Sequence, residues 1–218
     1  MTDWRRIGIG IPAAALIGAL GIYDLAAGAA NVRAREASDE VGSWVTLPTG
    51  PRPDTLASLG SDIQQILPRV PDRAYAQELG GILAARQRTV EGMTAGKSLF
   101  SNALGTRPVS PYTWANFTHV SYELGQTGEE FEAALRHAVE LGPWEPAVQT
   151  TVVNYGLAVR EEVAPQTRAA IDRMVSNAMR RNPLETLQIA ERRGRLEIAC
   201  QKLVNPAADT IKRFTQCQ

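Results

Sequence analysis

Cysteine, histidine and any excess of one charge are scarce in this chain. Cys200 and Cys217 are its two cysteines in 218 residues, too few for a disulfide framework, and their spacing matches no zinc motif. His119 and His137 are the two histidines that could help them hold a metal. Lys plus Arg number 23 and Asp plus Glu 23, so there is no global basic field to draw nucleic acid. Alternating β-branched runs are nearly absent, which argues against a sheet-built core and for an all-α fold. No metal and no cofactor is expected from such a composition.

What is present begins with location. Arg5-Arg6 precede Ile7 to Tyr23, seventeen residues without a charge, and Asp24 is followed by a small-residue run from Leu25 to Val32. Continued to Ala30, this is about the twenty residues that cross a bilayer. The arginines should stay in the cytoplasm, so a single-pass anchor over residues 1–35 would leave the rest of the chain outside. A cleaved signal peptide is the alternative, because Ala27-Gly28-Ala29 fits a small-x-small cleavage site. A buried or interfacial helix is a third. In the outward orientation Cys200 and Cys217 stand in an oxidising compartment, where a lone pair of cysteines is expected to pair. The alternative there is a buried free Cys200 with a mobile Cys217.

Residues 36–53 are assigned to a linker, because Thr46 to Pro53 holds three prolines and a glycine; Arg33 to about Ser43, charged and without proline, could instead continue the anchor helix. Residues 54–218 then form a helical domain. Asp54 is a candidate cap for a helix with Leu56, Leu59, Ile63 and Ile66 on one face. Runs over Asp72–Val90 and Met93–Leu104 follow. Prolines at 71, 111, 146 and 183 lie 40, 35 and 37 residues apart, each before or at a helix start. That spacing is close to the period of helical-hairpin repeats. Leu184 to Leu203 is interrupted by Arg192-Arg193-Gly194-Arg195, and Ala207 to Gln218 is expected to be a last short helix.

The stretch from Pro111 to Pro146 is the most legible. Ser110 caps and Pro111 opens a helix in which Trp114, Phe117, Val120 and Leu124 share a face. Gly125 to Gly128 break it. Phe131, Ala134, Leu135, Ala138 and Leu141 form a second apolar face, stopped by Gly142-Pro143. Two such helices make an antiparallel hairpin, which cannot bury both its faces alone.

This hairpin resembles a tetratricopeptide repeat. Trp114, Phe117, Gly125, Leu135, Ala138 and Pro143 fall close to the places that pattern fixes, while Thr118 stands where it has Gly and Ser121 where it has Tyr. The resemblance implies a short solenoid of three degenerate hairpins with terminal capping helices. It also implies that the first helix of each hairpin lines a groove, with Tyr112, Ala115, His119 and Tyr122 on the groove side, joined by Thr150 and Asn154 of the next hairpin. Such a surface suits a peptide or a sugar.

Other features have plainer explanations. Gly92-Met-Thr-Ala-Gly-Lys97-Ser98 is one residue too short for a phosphate-binding loop and follows no predicted strand. Glu129-Glu130 suit the positive end of a helix dipole. The histidines lack a third ligand at metal spacing, and no nucleophile motif accompanies them. Asn116-Phe-Thr118 matches a glycosylation sequon inside a predicted helix. Arg180, Arg181, Arg192, Arg193 and Arg195 form a basic patch for acidic glycans or anionic lipid, or a solvated helix face.

The whole layout, from anchor to linker to hairpins containing Glu140-Leu141-Gly142-Pro143-Trp144-Glu145-Pro146, resembles the small anchored helical proteins that accompany bacterial exopolysaccharide and O-antigen polymerases. That resemblance implies a non-catalytic accessory or scaffold protein of the bacterial inner membrane, single-pass, with its C-terminal domain in the periplasm. Its partners would be the lipid bilayer and a membrane protein of a polysaccharide assembly complex. A glycan-binding or glycan-modifying periplasmic protein, or an accessory subunit of another inner-membrane complex, are the alternatives.

Overall fold

The computed structural model describes residues 4–43 and 52–203, together with 213, 214 and 217; for 4–15, 17 and 43 it describes the backbone alone. Among the described residues every regular element is helical. Helix α1 runs from Trp4 to Ser43 and α2 from Pro53 to Ile66, followed by a 3-10 turn at Leu67–Arg69. Eight helices then pair in sequence. These are α3 (Arg73–Arg86) with α4 (Val90–Thr106), α5 (Pro111–Glu123) with α6 (Glu129–Leu141), α7 (Pro146–Val159) with α8 (Pro165–Arg181), and α9 (Pro183–Arg192) with the short α10 (Leu196–Cys200). The first helix of each pair also packs on the first helix of the next, α3 on α5, α5 on α7 and α7 on α9.

The punctuation is local chemistry. Asp72, Thr89, Ser110 and Asn182 each accept a backbone N–H from three residues on, which satisfies donors that a helix start leaves open. Ala164 before Pro165 has no such side chain. The Glu132 carboxylate of α6 takes over, accepting from Ala164 N–H at 3.2 Å and from the Thr167 hydroxyl at 2.5 Å. One hairpin therefore caps a helix of the next, which fixes their register as well as a donor.

Three apolar clusters run along the chain and share side chains. Ala30, Ala34, Leu56, Ile63 and Leu83 belong to the first, Phe100, Phe117 and Val120 to the second, and Phe131, Leu135, Val152, Leu157 and Ile171 to the third. Ile82 packs on the first two and Trp114 on the last two, so no cluster is isolated. Trp114, on the apolar face expected of α5, bridges two clusters. It is half buried, and its indole N–H donates to the Pro108 carbonyl at 2.7 Å.

Residues 36–43 are not linker. They continue α1, and Ala27, Ala30, Ala34, Ala37 and Val41 recur at three- and four-residue steps as a buried stripe, of which Ala30, Ala34, Ala37 and Val41 join the cluster with α2 and α3. Alanine lets the helices approach closely, and the hydropathy of the segment gives no sign of it. The rest of the expected linker, residues 44–51, lies outside the described residues, and α2 begins at Pro53. Upstream of the stripe, Leu16, Leu20, Ile22, Tyr23 and Leu25 are between 54% and 77% exposed. Among the described residues no helix is long and apolar enough to cross a membrane. The side chains of residues 4–15, which carry the first part of the expected anchor, lie outside that set.

The C-terminal expectations change too. The run from Leu184 to Leu203 breaks at Gly194 (φ 64°) into α9 and α10, which makes a fourth, short hairpin where a cap was expected. The expected helix over Ala207–Gln218 lies mostly outside the described residues, but Phe214 is buried in the third cluster. Cys200 and Cys217 are joined by a disulfide with their Cα atoms 5.0 Å apart. In the chain-entropy account a loop of this size contributes about 3 kcal/mol.

Helices approach closely at two glycines. A Cβ on Gly81 would lie 2.6 Å from the Phe100 ring, and one on Gly156 would lie 2.9 Å from Ile171. Phe100 is 1% exposed and has no room to swing away. Gly81→Ala should therefore destabilise the protein by about 1–3 kcal/mol through overpacking, although alanine is the better helix former. Adding Phe100→Leu should recover part of the loss. Urea unfolding of the single and double variants checks both; an unchanged midpoint for Gly81→Ala would contradict the packing.

Candidate functional site

The first helices of three hairpins share one cleft of about 630 Å³. Its apolar floor comes from Ile82 and Ala85 of α3, Met93 and Phe100 of α4, and Leu124 after α5. Arg86 and Arg88, at and just past the end of α3, form one wall. Asn116, His119 and Glu123 of α5 form another, and Tyr155 of α7 closes the far end. Residues 116, 119 and 123 fall on one face because they are three and four apart in a helix.

Tyr155 organises that far end. Its ring stacks on His119 with centroids 5.2 Å apart and 14° between planes, and it meets Tyr122 at 4.9 Å. The Arg193 guanidinium lies 5.5 Å from the centroids of both tyrosines. Arg193 is held there by Asn154, whose Oδ1 accepts from Nε at 2.9 Å. This ties α5, α7 and the α9–α10 turn together by stacking and cation–π contact.

The electrostatics follow from burial. Desolvation holds the His119 imidazole below its ordinary value; Glu123 opposes that and Arg88 adds to it. Burial pushes the Tyr155 phenol up, helped by Glu123. Burial, then the neighbouring Arg88, lowers Arg86. The two guanidiniums are thus near enough to repel. At neutral pH the site holds a neutral histidine, a neutral tyrosine and more arginine than carboxylate.

The residues assigned to the groove from sequence divide. His119, Tyr122 and Asn154 come together around Tyr155. Tyr112 does not join them: it is exposed, its hydroxyl donates to Glu145, and it lines a separate groove with Tyr75, Glu78 and Arg107. Thr150 is tied to Glu185 of α9 at 2.9 Å. Ala115 points the other way and is 3% exposed in the core. The basic patch divides as well. Arg193 turns into the aromatic cluster, Arg181 donates to Gln149 at 2.7 Å, and Arg180 and Arg192 are exposed. Arg195 is partly buried.

His137 sits against Trp114, 4.6 Å between centroids, away from the cleft. The segment Gly92–Ser98 lies inside α4, where a Cβ on Gly92 would meet the Ala84 carbonyl at 2.5 Å, so its glycines serve helix packing. Among the described residues no group of three or more His, Cys, Asp or Glu is arranged to hold a metal ion. Sequence reasoning did not single out Tyr155, and it left Arg86 and Arg88 inside a helical run. The signal for Arg88 was faint: a helix end with no glycine to turn it.

Comparison with protein-family models, with curated proteins and with solved structures finds no match.

The neutral state of His119 makes a stability prediction. Its native value lies below the unfolded one, so the unfolded chain binds the extra proton as pH falls below about 6.5, and stability drops there. The contribution is fully present above that point. Between about pH 7.5 and 5.5 the melting temperature of the native protein should fall more than that of His119→Gln. Parallel falls in the two proteins would contradict the buried, neutral histidine.

Proposed function

We propose that this protein is a non-catalytic scaffold of a bacterial envelope complex, held at the inner membrane by α1 with its helical hairpins in the periplasm. The observation that carries this is the division of α1. One part docks on the hairpins through a stripe of alanines, and the part before it exposes Leu16, Leu20, Ile22, Tyr23 and Leu25. Exposed apolar surface of that extent in a soluble protein is unfavourable and marks an interaction surface. It continues directly into the uncharged run that begins at Ile7, and Arg5-Arg6 set the orientation.

Two further observations support the reading. The Cys200–Cys217 bridge is the chemistry of an oxidising compartment. The stacked hairpins, whose first helices start at residues 73, 111, 146 and 183, suit a tetratricopeptide-like scaffold that presents a continuous surface to a partner. The resemblance to accessory proteins of polysaccharide polymerases names the first complex to look for. A glycan-binding role has less support, because the Tyr155 ring is engaged by His119 and Arg193 rather than open to a sugar.

The full chain should remain with membranes after alkaline carbonate washing, with its N-terminus intact. A soluble form beginning near Ala30 would defeat the anchor. Copurification from mildly solubilised membranes should recover a membrane protein of a polysaccharide or other envelope complex. The folded double variant Asn116→Ala with His119→Ala should lose that protein; unchanged recovery would move the partner surface away from the cleft.

A further inference from the structure

The hairpins cannot stand far from a bilayer that holds α1. Leu25 is 77% exposed, and Ala30, five residues on, already packs into the cluster with α2 and α3. Five residues of helix are about 8 Å. We infer that one edge of the stack lies in the headgroup layer of that bilayer, namely the row of turns that join successive hairpins. This rests on the anchor proposed above, and three observations choose the edge.

The first is where apolar side chains protrude. Outside α1 the large apolar side chains that stand exposed, among the described residues, are Val90, Val109, Tyr112, Leu141, Trp144 and Leu184. Val90 starts α4. The other five lie in or beside the α4–α5, α6–α7 and α8–α9 turns, which join hairpins. Single exposed apolar residues are ordinary, but their gathering at one edge marks a surface that is used. Tryptophan and tyrosine, apolar bodies with a polar tip, are the side chains that sit at a membrane–water interface.

The second is that these turns form one row. The Arg107 guanidinium reaches Asp72 at 3.7 Å, which ties the α4–α5 turn to the start of α3. The Tyr112 hydroxyl donates to Glu145, and a Cβ on Gly142 would lie 2.7 Å from Pro111, so the α6–α7 turn sits against the start of α5. The Pro143 carbonyl accepts from Gln149 at 2.9 Å and from Asn177 of α8 at 3.4 Å. Arg181, at the end of α8, donates to the same Gln149. A rigid partner would need a matching notch for each separate apolar tip. A fluid headgroup layer accommodates them all.

The third is which charges reach outward. On this edge the exposed charged residues are Arg69, Asp72, Arg73, Glu140, Arg180 and Arg181. Asp72 is paired with Arg107, and Glu140 lies 3.9 Å from His137. Glu78, Glu145 and Glu185 also belong to this edge, but they are partly buried and bonded to Arg107, Tyr112 and Thr150. The edge is therefore neutral in sum, with arginine prevailing at its surface. Arginine stems lie along apolar surface while their heads bond phosphate. At the opposite ends of the helices, the α3–α4, α5–α6 and α7–α8 turns expose Arg88 against Glu91, Glu123, Glu129, Glu130, Glu161 and Glu162. Glu130 and Glu161 are paired, with Lys97 and Arg160, and the α9–α10 turn is mixed. The carboxylate edge turns away from phosphate. The cleft, walled in part by the turns after α3 and α5, then lies on the side away from lipid.

The test places the full chain, labelled with fluorotryptophan, in nanodiscs of mixed phosphatidylcholine and phosphatidylglycerol. Fluorine NMR follows Trp144, assigned by its loss in Trp144→Phe. A gadolinium chelate carried on a lipid headgroup should broaden Trp144 strongly, and a water-soluble chelate should broaden it weakly. A reporter at the other edge, Glu162→Trp, should show the reverse. Arg73→Gln with Arg180→Gln should lower the ratio of docked to free domain by more than about fivefold, at an unchanged melting temperature. Equal broadening of Trp144 and the reporter, or broadening of the reporter alone by the headgroup chelate, would overturn the inference. A Trp144 resonance that shifts with protein concentration in micelles, without broadening in nanodiscs, would overturn it in favour of contact between copies. If the chain enters nanodiscs and Trp144 stays sharp, the docked edge is wrong and the anchor stands. If the chain does not enter them, the anchor fails and this inference with it.

Discussion

A two-helix hairpin buries one face of each helix and leaves the others bare. Everything in this structure follows from how closely successive helices approach to cover those faces. At Gly81 and Gly156 the neighbouring Phe100 and Ile171 come so near that no Cβ fits. The paired helices therefore lie close, and the first helices of neighbouring hairpins are brought side by side. Their exposed edges then share one cleft. The site is a by-product of stacking, built from α3, α4, α5 and α7 and the turns after α3 and α5.

The same logic extends to the N-terminus. Alanines at 30, 34 and 37, with Val41, let α1 lie flat against α2 and α3. The exposed apolar segment and the hairpins are therefore joined by continuous helix, whose 40 residues span about 60 Å. A flexible tether would let the domain wander. A docked helix fixes the distance and orientation of the cleft relative to whatever holds the apolar segment.

Much of the fold was legible in the sequence because its signals are local. Proline starts, glycine stops and the faces of Phe117, Val120, Phe131, Ala134, Leu135 and Ala138 need only helical periodicity, and those six side chains are buried. What escaped depends on distant partners. An alanine stripe has too little hydrophobicity to announce a buried face, so residues 36–43 could be read as a continued helix or as linker but not as a packed surface. Trp114 lies on the apolar face expected and packs against two clusters, yet it is only half buried, because its N–H needs a partner and finds one at the edge, on Pro108. The candidate site was half legible. His119, Tyr122 and Asn154 lie on the faces expected of them. Their organiser, Tyr155, carries no local signal of that role, and Arg193 looked like part of a basic or solvated patch. Which residues face each other across a hairpin boundary is a tertiary fact that one sequence does not spell out.

The stacking of His119 on Tyr155 is where the account is most exposed, since it joins two hairpins, two helices and the site in one contact. Nuclear Overhauser spectroscopy of protein labelled selectively at histidine and tyrosine reads it directly. Ring centroids 5.2 Å apart predict cross-peaks between the imidazole protons of His119 and the ring protons of Tyr155, assigned by their loss in Tyr155→Leu. Observation of these cross-peaks would place α5 and α7 side by side as described. Their absence, in a protein whose His137 still shows contacts to Trp114, would contradict the stacking of the hairpins and the cleft built on it.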